Sequence, residues 1–222
     1  MAAATLSAVI PARNAVATLP ATLRALAGQV DEVVVADAGS RDGTAALAEA
    51  AGARVVTAAG GRGAQVAAAV GASRGEWLLL LHADTVPSPG WRAAAAAHMA
   101  AGPDRAGYFR FRLASGDPRA RRLERMVAWR CRVMALPYGD QGLLIARSLL
   151  AEVGGIQPLP LLEDADLVRR LGRRRLAPLP VDAVTSPAKW ERDGWTRRSL
   201  RNVACLALWY SGVPPRVIAR LY

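Results

Sequence analysis

Lysine, cysteine and histidine are nearly missing from this chain of 222 residues, which holds one, two and two of them respectively. Cys131 and Cys205 stand alone in helical patterns, with no C-x-x-C and no histidine at ligand spacing, so they read as buried free thiols. That excludes a disulfide scaffold and a redox pair. His82 and His98 are separated by a helical stretch and have no zinc spacing. No apolar run reaches the roughly 18 residues that a membrane span needs. The first residues, M-A-A-A-T-L-S-A-V-I-P, lack the basic head of a secretory signal. A cytoplasmic location is expected, with peripheral attachment to the inner membrane face left open. No linker divides the chain, and its length suits one α/β domain with a full core.

The lysine shortage also tempers the charge. A formal net charge of +11 and a pI near 11.1 would ordinarily suggest nucleic acid. Every cation but Lys189 is arginine, however, and alanine is abundant, as codon bias in a G+C-rich genome produces. We therefore expect no nucleic-acid partner. Nucleotide phosphates and an anionic membrane surface remain candidates.

What is present is a regular alternation. L-S-A-V-I-P (6–11), E-V-V-V-A (32–36), A-R-V-V-T (53–57) and W-L-L-L-L (77–81) are short, apolar and β-rich, with helical patterns between them. This predicts an α/β fold with a mainly parallel sheet and helices on both faces. In such folds ligands bind beyond the carboxyl ends of the strands. Polar clusters follow each of the four: P-A-R-N-A with Asn14 as a helix cap, D-A-G-S-R-D-G-T from Asp37, A-A-G-G-R-G with Arg62, and His82-Ala83-Asp84.

Later stretches are less regular. Y-F-R-F-R-L (108–113) alternates like a strand, residues 119–136 form a basic amphipathic helix, and L-L-E-D-A-D-L-V-R-R-L opens a helix with three carboxylates in its first turn. The tail from Trp195 is helical, interrupted by G-V-P-P (212–215).

Each cluster has a structural and a chemical reading. Asp84 ends an apolar strand, where a carboxylate is costly without a cationic or hydrogen-bonding partner. Mg²⁺ or Mn²⁺ carrying a diphosphate would be such a partner, and helix capping is the alternative. Asp37 could accept from a nucleobase N–H or simply close an Asx-turn with Gly39 and Ser40. Glu163 and Asp164 could complement a helix dipole, or one could act as a general base toward a hydroxyl. Tyr138–Gly142, with Asp140 and Gln141, lines an acceptor side or is a plain turn. The basic helix either packs on its own domain or lies on a membrane surface.

Taken in order, S-A-V-I-P-A-R-N, V-V-V-A-D-A-G-S-R-D-G-T, G-E-W-L-L-L-L-H-A-D-T and L-E-D-A-D-L resemble the family 2 glycosyltransferases of the GT-A fold. With P-Y-G-D-Q-G and the ending G-V-P-P-R-V-I-A-R-L-Y, the chain is most similar to a bacterial subgroup associated with arsenosugar biosynthesis. The resemblance implies a GT-A domain over residues 1–194, with a nucleotide-binding half (1–100) and an acceptor half (101–194), and a helical extension over 195–222. It implies a nucleoside-diphosphate sugar donor, a divalent cation (Mn²⁺ or Mg²⁺) and a small-molecule or lipid-linked acceptor.

Carried over by position, Pro11, Asn14, Asp37, Gly39, Arg62 and His82 would bind nucleotide, and Asp84 the metal. Asp164 would be the base, supported by Glu163. Asp140, Gln141, Lys189 and Trp190 would face the acceptor. The chain departs from the family pattern at His82, which replaces the first aspartate of D-x-D and lowers the charge offered to a metal. Ala15 replaces a usual glutamate, and Ala38 a frequent second aspartate. Lys189-Trp190 stands where processive relatives carry Q-x-x-R-W, so a processive polymerase is not expected. A nucleotidyltransferase of similar architecture would want glycines after the first strand, and P-A-R-N-A has none. A non-catalytic nucleotide-sugar or membrane-surface binding protein is the other rival.

Overall fold

Continuous apolar runs and short crossovers give the first half its form. The computed structural model describes residues 4–221. It begins with β1 (Leu6–Ala12), α1 (Leu19–Leu26), β2 (Glu32–Asp37), α2 (Thr44–Ala50), β3 (Arg54–Thr57), α3 (Arg62–Ala72) and β4 (Trp77–Leu80). There follow β5 (Thr85–Pro87), α4 (Trp91–Ala100), β6 (Ala106–Leu113), α5 (Pro118–Met134), β7 (Leu143–Ala146), α6 (Arg147–Glu152) and α7 (Glu163–Leu171). The chain closes with β8 (Leu176–Thr185), α8 (Ala188–Asp193), α9 (Trp195–Tyr210) and α10 (Pro215–Ile218).

All eight strands form one sheet in the order β3-β2-β1-β4-β7-β6-β8-β5. The half from β3 to β4 is wholly parallel. Beyond it β7 runs antiparallel to both β4 and β6, and β8 pairs parallel with β6 and antiparallel with β5. The predicted α/β class and mainly parallel sheet are therefore present. β4 explains its own sequence: Leu78 and Leu79 lie between β1 and β7 and are fully buried, as is Leu81 just beyond the strand. Each such leucine contributes roughly 1.5–3 kcal/mol by leaving water. Both cysteines are free and buried, as expected.

Two local expectations fail. Asn14 does not cap α1: that helix starts at Leu19, and Asn14 takes a positive φ of 49° and accepts from the backbone N–H of Arg41 (3.0 Å). Its side chain ties the β1 loop to the β2 loop. α5 ends at Met134 rather than at residue 136, where Ala135 turns left-handed. The C-terminal helices pack where they matter for the site, because Cys205 and Ile218 cluster with Leu162 and Ala165 at the start of α7. No described helix is long and apolar enough to cross a membrane.

Candidate active site

The turn after β2 is the simplest part of the site. Asp37, 5 % exposed, accepts from the backbone N–H groups of Gly39 (3.0 Å) and Ser40 (2.9 Å) and from the Ser40 hydroxyl (2.5 Å). Gly39 has the positive φ (73°) this Asx-turn uses. The structural reading of Asp37 is thus present, with one lone pair of Oδ1 left over for a ligand. Pro11 lies near the end of β1, lining a small hollow with His82, Tyr138 and Asp164.

Beyond β4 the chain presents His82 and Asp84, and long-range partners meet both. His82 Nδ1 lies 2.5 Å from Asp140 Oδ1, and Asp84 Oδ2 lies 2.7 Å from Lys189 Nζ. Burial alone would raise the Asp140 carboxyl, yet the hydrogen bond and charge of His82, with Lys189 and Arg62, hold it well below the usual carboxylate range. An ionised carboxylate only accepts, so Nδ1 is the donor, and Nε2 is the ring nitrogen that Asp140 leaves for another partner. Burial would also lower the Lys189 ammonium, but Asp140 and Asp84 outweigh it and hold it above its ordinary value. Ligand atoms of His82, Asp84 and Asp140 all lie within 4.8 Å of one another, a spacing that can hold a metal ion.

A buried hydroxyl network fixes this convergence. Thr85 and Thr185 hydroxyls bond across β5 and β8 (2.8 Å), and Thr185 donates on to the Asp140 carbonyl (3.3 Å). The segments bearing Asp84, Asp140 and Lys189 are joined at one point. Sequence reading missed this, for β8 carries Pro178 and Pro180, which obscure its alternation, and β5 has only three residues.

The opposite wall is α7. Leu162, buried with φ 65°, occupies the left-handed region just before the helix, which is uncommon for such a residue and holds its start in a strained geometry. Glu163 (4 % exposed) pairs with Arg62 Nε, while Asp164 Oδ2 lies 3.3 Å from the other end of that guanidinium. Burial pushes the Glu163 carboxyl up, against the pull of Arg62 and with the push of Asp164. Its Oε2 is buried without a hydrogen-bond partner. Arg62 stays charged, held above its already high value by Glu163 and Asp164 despite burial.

Arg62, His82, Asp140, Asp164, Lys189 and Trp190 line one cavity of about 800 Å³. Trp190 is nearly buried, with ring contacts to Phe111 and Trp195. One acceptor-side expectation needs correcting. Gln141 does not face this cleft: it is 3 % exposed and bonds to the Phe109 carbonyl (3.0 Å) and Cys131. Asp140 lines the cavity with Lys189 and Trp190 and lies against His82.

A mixed sheet whose parallel half ends in polar loops, facing a helix-borne carboxylate pair across a cleft, is the architecture of GT-A nucleotide-sugar transferases. Residues 7–155 match the model of glycosyl transferase family 2, and the chain belongs to that family. It is a glycosyltransferase. No curated protein matches the sequence. Among solved structures, glucosyl-3-phosphoglycerate synthase from Mycobacterium tuberculosis, in complex with Mn²⁺, UDP and glucosyl-3-phosphoglycerate, is 23 % identical with a TM-score of 0.63, covering 95 % of this chain and 81 % of that one. S. aureus TarS 1–349 in complex with UDP-GlcNAc is 17 % identical with a TM-score of 0.62, covering 82 % of this chain and 58 % of that one. At these identities the likeness is one of fold.

Proposed function

We propose that the chain moves a sugar from a nucleoside-diphosphate sugar to an acceptor hydroxyl with inversion, assisted by a divalent cation. The observation that carries this reading is the single cavity shared by Asp164, Arg62, Asp140, His82 and Lys189, with Asp84 joined to it through Lys189. A base and a diphosphate site must flank one sugar ring, and a shared lining of this cavity supports that reading.

Asp164 is the base. It is one-fifth exposed at the cavity wall, and Arg62 fixes its orientation while anchoring on Glu163. In the displacement the acceptor oxygen attacks the anomeric carbon as its proton passes to Asp164, and the carbon–oxygen bond to the diphosphate breaks with its electron pair leaving on phosphate. Arg62 and Lys189 face the charge gathering there. His82 Nε2 and Asp84 would hold the cation, with Asp140 orienting the imidazole. When bound, it would neutralise diphosphate oxygens as a Lewis acid. A nitrogen beside carboxylates suits Mn²⁺ better than Mg²⁺, which prefers an all-oxygen shell. The mycobacterial synthase, solved with Mn²⁺ and UDP, supports that choice. Asp37 and Gly39 would meet the base, with Pro11 and Asn14 framing it. Trp190 would bound the acceptor end. The likeness to the arsenosugar-associated subgroup rests on short motifs and names no substrate.

The test is a thermal-shift series with nucleoside diphosphates and their sugars, with and without Mn²⁺, followed by release of nucleoside diphosphate from the sugar nucleotide. Asp164→Asn should keep the ligand-induced shift and lose about 10²–10⁴-fold in turnover. Asp84→Ala should lose the Mn²⁺-dependent part of the shift. Unchanged turnover in Asp164→Asn would remove that residue from its role.

A further inference from the structure

The charge of this protein is not spread over it. Residues 118–134 and 195–221, which contain α5, α9 and α10, carry eleven arginines and one acid, so the rest of the chain is close to neutral. The acid, Glu124, is buried and consumed by Arg112, Arg121 and the Leu113 backbone N–H. Arg122, Arg125, Arg132, Arg197, Arg216 and Arg220 are exposed, and none makes an ion pair among the described residues.

The same segments hold nine of the ten large apolar side chains that the described residues expose. On α5, Met126 (56 %), Trp129 (59 %) and Val133 (50 %) recur at helical spacing on the side opposite Ala120, Glu124 and Cys131, which pack inward. On α9, Leu200 (64 %), Val203 (57 %) and Tyr210 (48 %) do the same. These helices flank the outer part of the cavity whose inner end is Asp164 and His82. Core packing explains neither the exposure nor the coincidence of apolar and cationic residues.

We propose that the α5–α9 face docks on an anionic lipid bilayer. Aromatic and aliphatic side chains at the level of the headgroups, beside six exposed arginines that make no ion pair among the described residues, are the pattern of an interfacial amphipathic surface. Arginines lacking carboxylate partners find them in anionic lipid phosphates. A second copy of the chain is disfavoured by charge, since a two-fold interface would set this arginine field against itself. Docked in this way, the cavity opens toward the bilayer, and the acceptor it admits is an amphiphile whose hydroxyl reaches Asp164 while its apolar part stays at the membrane.

The docking goes beyond glycosyl transfer and is tested apart from it, by flotation of the full chain with vesicles. Vesicles with about 30 % phosphatidylglycerol should carry the protein, and vesicles of phosphatidylcholine alone should not. Val133→Glu with Leu200→Glu, and separately Arg132→Glu with Arg197→Glu, should each lower partitioning at least about tenfold. None of these four residues lines the cavity around His82 and Asp164. The nucleotide-induced thermal shift should therefore be unchanged, which also shows the variants are folded. Binding to neither vesicle, or binding that both double variants retain, would overturn the proposal. A concentration-dependent dimer in sedimentation velocity, abolished by Val133→Glu with Leu200→Glu, would instead assign the face to a second copy and equally overturn it.

Discussion

Gly63 is the residue on which the relation between the two walls of the site depends most directly. It sits in the first turn of α3, next to Arg62, and its backbone N–H donates to the Leu159 carbonyl (3.0 Å) in the segment that leads to Glu163. A Cβ there would lie 2.4 Å from the Gln157 carbonyl oxygen and 2.5 and 2.6 Å from the Leu159 oxygen and nitrogen. All three are backbone atoms, so no side chain can swing aside. Gly63→Ala must push the segment away by about 1 Å, at an overpacking cost of about 1–3 kcal/mol plus about 1 kcal/mol for the stretched hydrogen bond. For a domain of this size that amounts to roughly 4–16 °C in melting temperature. The same displacement moves Arg62 relative to Glu163 and Asp164, and misplacement by 1 Å can cost about 10²-fold in rate. Gly71→Ala is the control: it lies in the same helix, is exposed, has no atom within 4 Å of its added Cβ, and should be neutral or stabilising by up to about 1 kcal/mol. Calorimetry and donor turnover read both. If Gly63→Ala melts within about 1 °C of wild type and turns over normally, the proposed dependence of Arg62 and α7 on this close approach is wrong.

Thr185→Val should cost about 1–3 kcal/mol, because it leaves the Thr85 hydroxyl and the Asp140 carbonyl short of a partner in a buried setting; chemical denaturation checks it, and Thr85→Val should not add fully to it. Glu32 supplies the pH dependence. Burial would raise its carboxyl, but hydrogen bonds from Ser7 and the backbone of Arg74 and Gly75 hold it below its ordinary value of about 4.5. Its contribution is therefore complete above pH 4.5 and lost as pH falls through the lower folded value, so Glu32→Gln should be less stable at neutral pH and show a flatter acid limb. Lys189→Met removes a cation that sits on Asp84, and Mn²⁺ should then bind more tightly, about tenfold, by titration calorimetry. Weaker Mn²⁺ binding would mean that Lys189 supports the cation site instead of competing for it.

Half of this site could be read from one dimension because the parallel half of the sheet writes itself into the sequence. An apolar strand that must be buried ends abruptly where polar residues begin, and β1, β2 and β4 each end in this way, whereas β3 is an edge strand with Arg54 and Thr57 exposed. The other half could not. Asp140 and Gln141 are neighbours in one glycine-bracketed turn, yet one side chain reaches His82 and the other the Phe109 carbonyl. Nothing local says which. Asp84 and Lys189 are likewise brought together through the antiparallel pairing of β5 and β8, the first the shortest strand of the sheet and the second interrupted by two prolines. The exposed face of α5 was legible as amphipathic, but which of its two apolar sides met the core depended on β6.

His82 is one position at which the sequence departs from the family pattern, and Asp140 supplies a carboxylate beside it. A D-x-D motif presents two carboxylates from one short turn. Here the turn presents an imidazole and Asp84, while a carboxylate of strongly lowered pKa comes up behind the imidazole from a segment 58 residues later. Two carboxylates, Asp84 and Asp140, thus stand around the proposed cation site, as many as a D-x-D motif supplies, and Asp140 orients the imidazole. The two arrangements should therefore exchange. Asp140→Asn alone should weaken Mn²⁺ binding by about 10–100-fold, the usual cost of removing a carboxylate that orients a ligating histidine. His82→Asp added to it restores two carboxylates in the turn, and binding should return to within about tenfold of wild type. Mn²⁺ titration of the single and double variants measures this directly. If the double variant binds no better than Asp140→Asn, Asp140 is not compensating for the missing aspartate, and the pair with His82 serves only to close the turn.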